Sequence, residues 1–313
     1  MKRQYDLKEL AQQHGFSIKE IEKVCRISDL LESISAVKFL SDRLSLYGGT
    51  AFNFIYAPEI LRLSVDLDFN YRHKDATDWE EVRDQIDEKL KDLLYRLEYK
   101  KADIKIDPHY PLARFIVSYV NTLGLKDKFN MEIGYVRRIP ILKNDIMADF
   151  KHVGTQETFK TKTPSREELF ANKWCTLLYR GTPRDLFDTY QIANIDFNPE
   201  AFRKCAIIDS LTHLEPKIYT IKSTAIEQIP IDSRLRNLLQ TEKLVEYNFP
   251  KIKKNVVEFT KTHLSSITSS EIQAVDRFYD QGILDPDVID SSGLFHEKVS
   301  EYGAALWTLL RPK

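Results

Sequence analysis

Two aspartates one residue apart, Asp66 and Asp68 in Leu63-Ser-Val-Asp-Leu-Asp-Phe69, follow a glycine pair in Leu46-Tyr-Gly-Gly-Thr-Ala51. Alternate residues of a strand share a face, so a strand over 64–69 would set the two carboxylates side by side. Like charges so placed repel unless a cation lies between them. Magnesium takes hard oxygen ligands and bridges carboxylates to substrate phosphates. Gly48 and Gly49 stand at an expected helix start, where a bare backbone and free N–H groups receive a phosphate, and the Thr50 hydroxyl would add a donor. In this order the two motifs point to an enzyme that grips a nucleoside triphosphate and acts at its α-phosphorus. Each alone has a plainer reading: a tight strand-to-helix turn, and a solvated strand face. A third carboxylate would complete a two-metal site. Glu132 is the candidate, on the opposite side of its strand from Phe129, Met131 and Ile133.

A further cluster runs from Ser165 through Lys173 and on to Arg180-Gly-Thr-Pro-Arg-Asp-Leu-Phe-Asp188. Local rules explain much of it. Ser165 with Glu168 reads as a capping box, Gly181 as a helix end, Thr182 as an N-cap and Pro183 as a first helical residue. Asp185 would favour the helix dipole, and Arg184 and Asp188 are spaced as an i,i+4 pair. Lys173 is less easily explained, because it adjoins the largely apolar stretch 174–179. A charge there needs a partner, or else it lies on an ordinary helix surface.

The elements that must position these residues follow from periodicity. Helical patterns cover 6–43, 50–56 and 78–98; strand patterns cover 44–47, 64–69, 103–106, 114–119, 129–133 and 159–163. From 165 onward helices dominate, broken near Pro199, Pro216, Pro230, Pro250 and Pro286. The pattern predicts an α+β domain over 1–195 and a helical domain over 196–313. The 313 residues carry a net charge of -1, so any polyanion-binding surface must be local. Cys25, Cys175 and Cys205 have no paired spacing, and there is no signal-peptide core or bilayer-length apolar run. A reduced, cytoplasmic protein that does not enter the membrane is expected.

Gly48-Gly49-Thr50, then Arg62-Leu-Ser64-Val-Asp66-Leu-Asp68-Phe69, then Lys173 and Arg180-Gly-Thr-Pro-Arg184-Asp185-Leu-Phe-Asp188, resemble the AbiEii/AbiGii toxin family. These are nucleotidyltransferases of the DNA polymerase β-like superfamily, and many are toxins of type IV toxin–antitoxin systems. The segment from Ser269-Ser-Glu-Ile272 to Gly282-Ile-Leu-Asp-Pro286 is similar to the family's helical tail. The resemblance implies a mixed sheet with flanking helices and an all-helical C-terminal domain. It implies that Gly48, Gly49, Thr50, Ser64 and Arg184 hold nucleotide, that Asp66 and Asp68 hold Mg2+, and that Lys173 contacts phosphate; no family motif marks the third metal carboxylate, for which Glu132 stays the candidate from its strand alternation. Asp185 would belong to the essential second motif. It further implies an NTP donor, an RNA acceptor (a tRNA end in some members) and a cognate antitoxin. A protein hydroxyl as acceptor, and a non-catalytic binding module of the same fold, stand as alternatives. Lys251–Lys254, Lys261, Arg234 and Arg236 offer a basic face for RNA.

Overall fold

The computed structural model describes residues 3–73, 78–107 and 111–310. They form two compact units: Met1–Tyr135 with Ile146–Thr163 and Asn237–Leu244, and Val136–Asp145 with Pro164–Arg236 and Val245–Lys313.

The first unit is built on a five-stranded sheet of β1 (Leu44–Tyr47), β2 (Leu67–Tyr71), β3 (Ile104–Asp107), β4 (Leu112–Val120) and β5 (Lys126–Gly134), in the order β1-β2-β5-β4-β3. Only β2 and β5 run parallel; the other pairs are antiparallel. The period-2 pattern makes one face apolar: Leu46, Phe69, Tyr71, Phe115, Val117, Phe129, Met131 and Ile133 are buried. Helices α1 (Leu7–His14), α2 (Ile18–Ala36), α3 (Lys38–Arg43), α4 (Gly48–Ala51) and α5 (Trp79–Arg96) complete the unit, and α2 packs against both α5 and β5. Burying a side chain such as Phe115 or Phe129 contributes about 2–3 kcal/mol. A hairpin, β6 (Ile146–Lys151) with β7 (Thr158–Thr163), packs through β7 on β1. The periodicity had not marked β6. Past α4 the chain widens into a π-helical turn over Phe52–Tyr56, whose Phe54 ring lies 5.5 Å from that of Phe150.

The second unit is helical: α6 (Arg166–Arg180), α7 (Pro183–Ile192), α8 (Pro199–Ser210), a short α9 (Ser233–Arg236), α10 (Phe249–Ser265), α11 (Ser269–Gln281), α12 (Pro286–Ile289) and α13 (Gly303–Leu309). Trp174 anchors it. Its ring lies 5.4 Å from Phe202, and its Nε1–H donates to Thr260 Oγ1 at 3.1 Å. That packing explains why α6 and α7 group with the helices, so the division falls near 163 rather than at the 195 read from the sequence. The apolar side of α6 needs α8. Conversely, residues 237–244 belong to the sheet unit, where the Leu63 N–H donates to the Leu238 carbonyl at 2.8 Å and Arg62 forms a β-bridge with Leu239. Among the described residues no helix is long and apolar enough to cross a membrane.

Candidate active site

The glycine pair lies where expected, with β1 ending at Tyr47 and the helix beginning at Gly48. Gly48 has φ +69, and a Cβ there would stand 2.3 Å from Asp68 Oδ2. A Cβ on Gly49 would stand 2.8 Å from Ser64 Oγ and 3.0 Å from the Arg62 guanidinium. The carboxylate of Asp68 therefore lies directly against the turn, and Ser64, which is buried, backs the second glycine. Gly48→Ala is expected to displace the Asp68 carboxylate and to cost about 1–3 kcal/mol in strain. A thermal melt beside a transfer assay checks this: activity should fall well beyond what the lost stability explains.

Asp68 sits on β2, in register with Tyr47 on one side and Glu132 on the other. In a ladder, paired residues project from the same face, so Glu132 is the neighbouring carboxylate that the alternation suggested. Its Oε1 accepts from Arg114 Nε at 2.6 Å. Asp66 differs from expectation. The strand begins at Leu67, and Asp66 is a bend before it. Two non-local bonds hold that bend. Thr50 Oγ1 donates to the Asp66 carbonyl at 2.5 Å, and Asp66 Oδ1 accepts from the Asn130 backbone N–H (3.3 Å) and side-chain amide (3.2 Å). Thr50 is fully buried and its hydroxyl proton is committed to Asp66, so the phosphate donor expected of that hydroxyl is instead a brace. Asn130, Arg114 and Arg62 were missed as members of this cluster. For Asn130 the signal was present, because it shares a strand face with Glu132.

In the helical unit, Lys173 is 6% exposed and its Nζ lies 2.8 Å from Asp188 Oδ2, on a residue that is wholly buried. The expected i,i+4 partnership of Asp188 with Arg184 is not formed; Arg184 is exposed on the first turn of α7. Asp185 is 1% exposed and heavily engaged. Arg180 grips its two oxygens at 2.8–3.0 Å and Thr182 Oγ1 donates at 2.5 Å. Gly181, at φ +62, turns the chain between the two helices. Ser165 makes no side-chain cap, and Glu168 instead accepts from the N–H groups of Ile141 and Leu142 at 2.9 and 3.2 Å. The capping box read there is thus absent, because Glu168 is buried against a distant loop.

Among the described residues, one group of three candidate ligands converges within 4.8 Å: Asp29, Glu32 and His152. Its internal bonds explain it without an ion. His152 Nδ1 accepts from the N–H groups of Gly154 (3.0 Å) and Thr155 (3.3 Å), which leaves the ring proton on Nε2, facing Asp29 at 3.2 Å. Arg3 pairs with both Asp29 and Glu32, and Tyr5 donates to Asp29 at 2.6 Å. The cluster clamps the N-terminal segment. The three cysteines are free and buried, and burial pushes the Cys25 thiol up to about 12.

A glycine turn pressed against a strand-borne carboxylate, in a mixed sheet with flanking helices, is an arrangement suited to a nucleotide phosphate. A family model described as nucleotidyl transferase AbiEii toxin, type IV TA system, matches residues 29–272, and the chain belongs to that family. Among solved structures, MenT4, a nucleotidyltransferase toxin from Mycobacterium tuberculosis H37Rv, shares the fold at a TM-score of 0.62. It is 15% identical, with 98% of each chain covered. Escherichia coli MS115-1 CdnC with ATP aligns at a TM-score of 0.26 and 12% identity, over 96% of this chain and 97% of that one, too distant to inform the fold. No curated protein sequence matches the chain.

Proposed function

We propose that the sheet unit binds a nucleoside triphosphate over the Gly48–Gly49 turn and that NMP passes from it to an acceptor hydroxyl, an RNA end such as that of tRNA. The observation that carries this reading is the Asp68 carboxylate lying against a turn with no side chain at its surface. A triphosphate and a divalent cation need that juxtaposition. The acceptor oxygen attacks the α-phosphorus in line, the α–β bridging P–O bond breaks, and pyrophosphate leaves.

The donor set fits magnesium: two hard carboxylates, one of them beside the glycine turn. Asp66 and Asp68 would hold it, with Glu132 next in register, and when bound it supplies charge neutralisation at the phosphates and acidifies the acceptor hydroxyl. The chain's own residues do the positioning. The N–H groups at the helix start receive phosphate oxygens. Thr50 and Asn130 fix the bend that aims Asp66, and Ser64 keeps the second glycine in place. In the helical unit, Asp188 holds the Lys173 ammonium, and Asp185 acts through Arg180 and Thr182 as a positioning residue for the start of the helix that carries Arg184. As a member of a toxin–antitoxin family, the protein would act in the cytoplasm with a cognate antitoxin.

The test is incubation with each of four α-32P-labelled triphosphates, magnesium, total tRNA and a protein extract. Label is expected on RNA with one or more donors, none from γ-labelled donor, and none with chelator. Label on protein alone would move the acceptor to a side-chain hydroxyl. No label on either would sink the reading.

A further inference from the structure

The face of the sheet opposite the core has a charge order along it. Strand pairing puts Arg114 beside Glu132, Ile116 beside Asn130, Ser118 beside Lys128 and Val120 beside Lys126. On the outer strand, Lys105 stands beside Ile116 and Asp107 beside Arg114. Paired residues share a face, and the core-side residues of β4 and β5 (Ala113, Phe115, Val117, Tyr119, Phe129, Met131, Ile133) are buried. The set from Arg114 to Lys126 is therefore one open face. It begins at the carboxylates, since Asp68 registers with Glu132 and Asp66 bonds to Asn130. It ends in the cations Lys128 and Lys126, with Lys105 on the outer strand level with Asn130; all three are exposed, and none forms an ion pair among the described residues. Because β3 begins opposite Val117, the far end of β4 has no outer partner strand among the described residues. A groove of about 780 Å³ opens at that end and wraps round the sheet, lined by Lys100, Lys126 and Lys128 but also by Asp103 and the core-side Tyr119 and Asp127.

We infer that this face is the track for the acceptor strand: a single-stranded RNA whose phosphates pair with Lys105, Lys128 and Lys126, and whose terminal hydroxyl points to Asp66 and Asp68. The inference rests on the reading above and adds where the acceptor lies. The spacing suits it. At about 3.3 Å per residue, Lys128 lies ~13 Å and Lys126 ~20 Å along β5 from Glu132, within a few nucleotides of the reacting end. The chemistry suits it as well. A polyanion approaching the acidic end needs cations behind that end, and a chain of net charge -1 offers them only locally. The paired positions on this face carry no aromatic side chain on which bases could stack, and the groove's Tyr99 and Tyr119 are buried, so binding is electrostatic, tolerant of sequence and steep in salt. Of the basic residues noted in the helical unit, Arg234 pairs with Asp232, Arg236 lies over the Phe249 ring and Lys253 bonds the Glu227 carbonyl, while Lys251, Lys254 and Lys261 are exposed but share no sheet face with the carboxylates.

The test measures binding apart from catalysis. Fluorescence anisotropy of a labelled mixed-sequence single-stranded RNA is followed against salt for the wild type and for the Lys105→Ala/Lys126→Ala/Lys128→Ala variant, with melting curves for both. The expected result is at least tenfold weaker binding, a salt slope smaller by about 2 (~0.7 per lost phosphate contact), and an unmoved melting temperature. In the transfer assay, KM for RNA should rise while kcat and triphosphate affinity stay as they were. Unchanged affinity and slope overturn the track. So does a wild type that binds no RNA at low salt; label reaching a protein would then still uphold the nucleotidyl-transfer reading. If the variant keeps its RNA affinity but loses binding to labelled polyglutamate, the face belongs to an acidic protein and the inference fails. Weakened RNA binding in a protein that transfers no nucleotide would remove the reading beneath and overturn the acceptor role with it, leaving only an RNA-binding face.

Discussion

Asp68→Asn should lower nucleotidyl transfer at saturating magnesium on the order of 10³-fold, about 4 kcal/mol of transition-state stabilisation, while moving stability little. The argument is steric and electrostatic. Asparagine has the same shape, so the close approach of residue 68 to Gly48 and its register with Tyr47 and Glu132 survive. The charge does not survive, and the substitution relieves like-charge proximity to Glu132 across the parallel ladder. A fall in activity therefore reads the loss of a cation-binding carboxylate rather than unfolding. The magnesium concentration that gives half the maximal rate should also rise, because Asp66 is left to bind the cation without Asp68. Near-normal turnover in Asp68→Asn, with the fold intact by melting, would falsify the assignment.

Asp66→Asn makes a contrast. Its Oδ1 accepts from both donors of Asn130, so an amide must turn its carbonyl that way or lose the pair. Activity and stability should fall together there. That difference between two neighbouring aspartates was not legible in the sequence. The reading of 64–69 as one strand came from polar and apolar alternation, which is a local signal. What bends the chain at Asp66 is a hydroxyl 16 residues upstream and an amide 64 residues downstream. The glycine turn, the alternation of β5 and the start of α7 were legible, because each is set by its own residues: φ at Gly48, period 2, and the cap of Thr182 with Pro183. The same limit explains Ser165 and Glu168, whose spacing fits a capping box but whose burial leads elsewhere. It also explains the division near 163, since a helix does not announce which neighbour will cover its apolar side.

Lys173 offers the second large effect, and its expected consequence has two parts that can be separated. Lys173→Met removes the cation 2.8 Å from Asp188, a carboxylate with no exposed surface. Breaking one side of a buried pair costs about 3–5 kcal/mol, because the remaining charge is left desolvated without its counter-ion. A lower denaturant midpoint with unchanged slope is expected. Replacing both partners by apolar groups is often close to neutral, so Lys173→Met/Asp188→Leu should regain most of the stability. The double variant then isolates function. If the Lys173 ammonium meets a donor phosphate, the refolded protein remains orders of magnitude slow, and KM for the triphosphate rises. A stable double variant with wild-type transfer would show that the pair serves only to hold α6 against α7. Loss of activity in the single variant alone decides nothing, since a partly unfolded protein is slow for either reason. The restored fold makes the ammonium's part in catalysis measurable.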